Sequence, residues 1–162
     1  MKKLICFALA CITMLFACNP ADKPMTADEK ALIEAGVTET LNKYLEVLLT
    51  NPDTNALKEY NLFNEDYSTN MDGVISVGGD KAIEMFTGGL AFIEKYIFAE
   101  TTQLEAIALD RNTAVCLIGF SEAYLTVTGD TVKIEGAATY VMERVEDKWM
   151  TVHLTGIHHP SE

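Results

Sequence analysis

Residues 113–157, TAVCLIGFSEAYLTVTGDTVKIEGAATYVMERVEDKWMTVHLTGI, decide the fold. Apolar and polar residues alternate here with a period of two, as they do when successive side chains point to opposite faces of a sheet. Turn formers interrupt the alternation at Gly129-Asp130 and Glu146-Asp147-Lys148. The pattern predicts strands over Thr113–Thr128, Thr131–Val145 and Trp149–Ile157, with one before them at Phe98–Asp110, joined through Asp110-Arg111-Asn112. Connections this short join antiparallel neighbours, so the four strands form a meander. Within it Ala114–Phe120 is apolar on both faces. Such a strand belongs in the middle of a sheet with cover on both sides. Helices from the same chain can cover one side, and a second subunit, making a homodimer, is the natural cover for the other.

Those helices come earlier. Thr26-Ala-Asp-Glu29 has the form of a capping box, Thr at the cap and Glu three residues later. Ile33, Val37, Leu41, Tyr44 and Leu48 follow at helical spacing and define one apolar face. Asn51-Pro52-Asp53 stops that helix and caps a short second one near Thr54–Tyr60. Leu62–Tyr67 reads as a short strand and Asn70-Met-Asp72-Gly73 as a turn. A third helix opens at Gly78-Gly79-Asp80, with Ile83, Phe86, Leu90, Ile93 and Ile97 at helical spacing and a Gly88-Gly89 pair inside it.

The N-terminus is separate from this fold. Lys2 and Lys3 precede an apolar run, Leu4–Phe16, which is too short for a stop-transfer span and reads as a secretory signal. It ends in Leu15-Phe16-Ala17-Cys18, which resembles the lipobox of bacterial lipoproteins. That resemblance implies cleavage before Cys18, acylation of Cys18 and a place on the bacterial cell envelope, held to a membrane by lipid. Residues 1–17 are then signal peptide, 18–27 the lipidated cysteine and its tether, and 28–162 a single domain. Of the remaining cysteines only Cys116 belongs to that domain, so no disulfide framework is expected, and Cys116 reads as an inert core residue.

Charge excludes one class of partner. The chain has 12 Lys and Arg against 24 Asp and Glu, a formal net charge of −12, and loss of Lys2 and Lys3 would make it more acidic still. Such a surface repels phosphates, so no nucleic-acid partner is expected. No Gly-rich phosphate loop or nucleophile elbow occurs, and no cofactor is expected.

Three histidines lie in the last ten residues. His153 and His159 are ~20 Å apart if the chain is extended, so they meet at one metal only if it turns back at Gly156. No metal site is expected, and His158-His159-Pro160 reads as a polar tail. His153 is a candidate for acid–base work because an imidazole titrates near neutrality; the alternative is a hydrogen-bonded histidine on the sheet surface. Strict alternation puts Trp149, Thr151, His153 and Thr155 on one face. Trp149 is then a packing anchor, a ligand platform, or both. Glu122 and Tyr124 share a strand face, Tyr140 lies on the next strand and Tyr96 near the end of the third helix, and together they can line a cavity.

Helices first, one early strand, a further helix and a closing meander with Trp: this order resembles the nuclear-transport-factor-2-like superfamily, in its branch of SnoaL-like polyketide cyclases and ketosteroid isomerase. Asp72-Gly73 followed by Gly79 and Ala82-Ile83, then Asn112-Thr-Ala114-Val115, then Thr139–Val145 with Asp147-Lys148-Trp149-Met-Thr-Val152-His153, carry the resemblance over about residues 28–157. Thr155 stands where the branch often has a second His, and Lys148 where it usually has Gly. The resemblance implies an α+β fold, a cone-shaped, curved antiparallel sheet wrapped around N-terminal helices as in a cystatin-like α+β roll. It also implies a cup, for which a small, mostly apolar molecule is expected; Trp149, Tyr124, Tyr140 and Tyr96, read from their strand faces and positions, are the expected ligand contacts. Two alternatives remain at this stage: an isomerase, cyclase or hydrolase using His153 or Glu122 as base, and a non-catalytic association module for another envelope protein.

Overall fold

The computed structural model describes residues 23–50 and 54–160. The expected signal peptide, the acylation site at Cys18 and residues 19–22 of the tether lie outside the described residues. Helix α1 (Ala27–Thr50) starts at the capping box expected of it. The amide of Glu29 donates to Thr26 Oγ1 (3.2 Å) and the amide of Thr26 to Glu29 Oε2 (2.8 Å), which satisfies two N–H groups the helix leaves open. Val37, Leu41 and Tyr44 on its apolar face are buried. Helix α2 (Thr54–Tyr60) follows. Then come β1 (Ser68–Met71), β2 (Val74–Val77), α3 (Gly79–Ala91), β3 (Ile93–Ala108), β4 (Thr113–Thr126), β5 (Thr131–Val145) and β6 (Lys148–Pro160).

The strands make one six-stranded sheet in the order β2-β1-β6-β5-β4-β3. The meander β3 to β6 is antiparallel throughout, as its tight turns require. The sheet as a whole is mixed, because β1 lies parallel to β6. Three register shifts along β3 against β4 and one between β5 and β6 bend it. The hollow of this bent sheet receives α1. The core consists of Val37, Leu41 and Tyr44 from α1, Leu57 from α2, and Ala114, Cys116, Ile118, Ala138, Tyr140, Met142 and Leu154 from the sheet. This is the α+β roll that the sequence implied.

Three local expectations fail. Leu62–Tyr67 forms no strand, because its backbone groups are spent elsewhere. The amide of Leu62 donates to Thr151 O, and the amides of Gly78 and Gly79 donate to Tyr67 O and Asn64 O, which ties the start of α3 to this loop. The strand is instead the polar Ser68–Met71, and Asp72-Gly73 turns it into β2. Helix α3 ends at Ala91, and Ile93 and Ile97 belong to β3. A spacing of four satisfies the periods of both helix and strand, and the β-branched and aromatic run from Ile93 favours the strand. Finally, His158-His159-Pro160 is no tail. Its residues pair with Gly136, Glu135 and Ile134 as the end of β6.

Among the described residues, large apolar side chains on the outer face of the sheet stay exposed. Leu117 on β4 is 38% exposed and Ile157 on β6 is 49% exposed, while Ala114, Cys116 and Ile118 are buried on the inner face.

Candidate functional site

A cavity of about 580 Å³ lies between α1, α3 and the inner face of β3–β6. Alternation along each strand decides what faces it. On β4 the inward residues are Ile118, Phe120, Glu122 and Tyr124. Tyr96 pairs with Tyr124, Ala138 with Ile118 and Tyr140 with Cys116, so each faces the same way as its partner. Leu48 of α1 and Phe86 and Leu90 of α3 complete an apolar wall. Gly136 shapes the sheet wall, since a Cβ there would overlap the ring of Phe120 and the carbonyl of Ile157. Its bareness lets Phe120 lie across β5.

Four of the residues expected to line a cavity are brought together: Tyr96, Glu122, Tyr124 and Tyr140. The rings of Tyr96 and Tyr124 meet edge to face at 6.1 Å, and those of Tyr44 and Tyr140 at 6.1 Å. Burial raises the carboxyl of Glu122 above the ordinary carboxylate range, and charge on His158 works against that rise. Burial also raises the phenols of Tyr96, Tyr124 and Tyr140, so these side chains remain neutral donors, and it pushes Tyr44 up to about 12.

His153 and Trp149 are placed elsewhere. For His153 the reason is the β-bulge opposite Val141 and Met142, where Met142 pairs with Thr151 but Val141 with His153. One extra residue reverses the alternation, so Thr151 and Leu154 face inward while His153 faces outward. His153 Nδ1 sits 2.8 Å from Ser68 Oγ on the outer face, in the hydrogen-bonded surface arrangement that was the alternative for it. The Trp149 indole packs on α1 at Gly36, its nitrogen 3.6 Å from where a side chain there would begin. Of the two candidate bases, Glu122 therefore lines the cavity and His153 does not.

The histidine that does line the cavity is His158. Its ring Nδ1 lies 2.7 Å from Asp72 Oδ2, and its main-chain N–H donates to Asp72 Oδ1 at 2.7 Å. An ionised carboxylate only accepts, so Nδ1 carries the proton and Nε2 is the acceptor of the neutral ring. The hydrogen bond from His158 holds Asp72 below its ordinary value. Phe120 meets the imidazole edge to face at 5.5 Å. Asp72 is set by the β1–β2 turn, where it and Gly73 have φ of 53° and 84°, the left-handed pair of a tight hairpin. A signal for this pair was present in the sequence. β5 is long, and a partner strand folding back from a two-residue turn at 146–147 must run to about residue 160 to match it.

Cys116 is buried beneath the cavity with its thiol pushed up to about 11, which leaves almost no thiolate for chemistry. Among the described residues no three His, Cys, Asp or Glu side chains converge as metal ligands.

No family model matches the chain, and no curated protein matches it. Solved structures do. A nuclear transport factor 2-like superfamily protein from Salmonella enterica serovar Typhimurium superposes with a TM-score of 0.69 at 17% identity, over 82% of this chain and 93% of that one. A hexachlorocyclohexane dehydrochlorinase gives 0.67 at 15%, over 84% and 94%. A ketosteroid isomerase-like protein from Erwinia carotovora atroseptica gives 0.64 at 12%, over 78% and 96%. At these identities the likeness is one of fold, and the fold is nuclear-transport-factor-2-like. The neighbours include an enzyme, so the fold does not choose between catalysis and binding.

Proposed function

We propose that this protein is a lipid-anchored binding protein of the bacterial cell envelope, which holds a small, mostly apolar molecule in the cavity between its helices and its sheet. The observation that carries the reading is the cavity itself: about 580 Å³, with an apolar wall of Leu48, Phe86, Leu90, Ile118 and Phe120 and with acidic groups, His158 and tyrosine hydroxyls set into the rest of its lining. Burial against such a wall supplies affinity, and a few polar groups supply orientation. Anchoring rests on Leu15-Phe16-Ala17-Cys18, where acyl chains on Cys18, each CH₂ contributing about 0.8 kcal/mol when buried, would hold the chain on a membrane. The bare outer face around Leu117 and Ile157 is the surface a second copy would cover. Native mass spectrometry of the protein released gently from its own membrane tests all three parts. The expected spectrum shows an acylated Cys18, paired subunits and a bound small molecule; an empty, unmodified chain would refute the proposal.

Asp72 and His158 favour a second reading, proton transfer in the same cavity. The carboxylate fixes the tautomer, so Nε2 of His158 is the basic atom, and Glu122 is a second acid–base group within its electrostatic reach. In this reading His158 takes the role expected of His153. Incubating the bound molecule with the protein in heavy water tests it. Deuterium appearing at a carbon of the recovered molecule, and lost in His158→Gln, would support catalysis; no exchange would leave binding alone.

A further inference from the structure

The charge in the cavity selects among ligands. We infer that the molecule it takes is a hydrophobic cation: a protonated amine or quaternary ammonium on a compact apolar body. This deepens the proposed function and rests on the cavity being a binding site. The ionisable side chains facing the cavity, tyrosines aside, are Asp72, Glu100, Glu122 and His158; no Lys or Arg of the described residues is among them. Asp72 accepts a hydrogen bond from the His158 ring that it holds. Among the described residues Glu122 has no such partner: burial raises its carboxyl, and the one charge acting against that is on His158. Around it are rings. Phe120 and Tyr124 flank it on β4, about 7 Å away along the strand on the same face, and Tyr96 stands against Tyr124 across β3. A positive group seated between Glu122 and one of these rings would lie within the ~6 Å over which an aromatic face attracts a cation.

The three charge types of ligand are then unequal. An anion would be repelled by Glu122 and Glu100. A neutral molecule filling the cavity would strip water from the Glu122 carboxylate and give nothing back, so the group would have to take up a proton. A cation replaces the lost water with an opposite charge and gains the ring faces as well.

Phenyltrimethylammonium and tert-butylbenzene have nearly the same shape and differ in charge, so they isolate this effect. The full chain in zwitterionic lipid nanodiscs would be dialysed against each probe at fixed free concentration, with occupancy read from the ring resonances of labelled tyrosines. At 0.15 M salt the Debye length is about 8 Å, so general attraction to an acidic surface is largely screened. The cation is expected to bind at least about tenfold tighter than its neutral twin, and Glu122→Gln to abolish that preference while tert-butylbenzene binding persists. Equal or stronger binding of the neutral probe would overturn the inference and leave the cavity as a binding site. A preference that survives Glu122→Gln would overturn the assignment to Glu122. If the folded protein bound neither probe, the cavity reading would fall and this inference with it. Should Glu122→Gln fail to fold, the comparison of the two probes on the unaltered protein still decides.

Discussion

His158 and His153 are five positions apart, and one of them lines a cavity while the other bonds to Ser68 on the outer face. Single residues in this protein act through the partner that fixes them. Asp72 fixes His158, and its folded-state pKa lies below its ordinary 3.8. A depressed carboxylate contributes stability above the unfolded-state value and loses it as pH falls through the folded-state value. Asp72→Asn keeps the left-handed turn but removes the charge. The variant should therefore be slightly less stable at neutral pH, by less than about 1 kcal/mol for so exposed a pair. The difference should shrink as pH falls below 3.8 and be lost once the depressed folded-state carboxyl is protonated as well, as urea titrations over acid pH would record. Trp149 is fixed by α1 rather than by a ligand. Trp149→Ala should cost on the order of 2 kcal/mol in denaturant unfolding and leave cavity affinity unchanged. A loss of affinity with stability intact would contradict that placement.

At the scale of elements, two turns and one bulge set the site. The β5–β6 turn places Glu146 and Asp147 at φ of 48° and 64°, a conformation that favours Asn and Gly over Glu. Glu146→Asn should raise stability by roughly 0.5–1 kcal/mol, visible as a higher melting temperature. Gly136 makes room for Phe120, so Gly136→Ala should cost roughly 1–3 kcal/mol in denaturant unfolding and narrow the cavity, measured as weaker binding of both phenyltrimethylammonium and tert-butylbenzene. The long strands were legible in the sequence because period-two alternation and short turns are local signals. The limits of α3 were not, since Ile93 and Ile97 fit both periods and the pairing of β3 with β4 is what ends the helix at Ala91. Trp149, Thr151, His153 and Thr155 read as one face for a similar reason. No local signal marks the extra residue at 151–153, because a bulge exists only relative to the partner strand.

For the whole molecule, the outer face remains the open surface. Leu117→Lys would put a charge in the middle of it, and light scattering should then show monomer in place of dimer if two copies pair there. A dimer that tolerates this substitution would place the contact elsewhere. The sequence by itself determined the α+β class, the meander, the capping box of α1 and the shared strand face of Glu122 and Tyr124 beside the strand of Tyr140. Each follows from periodicity or from neighbours close along the chain, whereas Tyr96 joined them only through the register of β3 with β4. Tertiary structure alone decided that Asp72 and His158, 86 residues apart, form a pair, and that His153 and Trp149 lie outside the cavity. It also decided that the unmatched charge within is negative. Such facts depend on register, and register is set by how two distant strands meet rather than by what either strand contains.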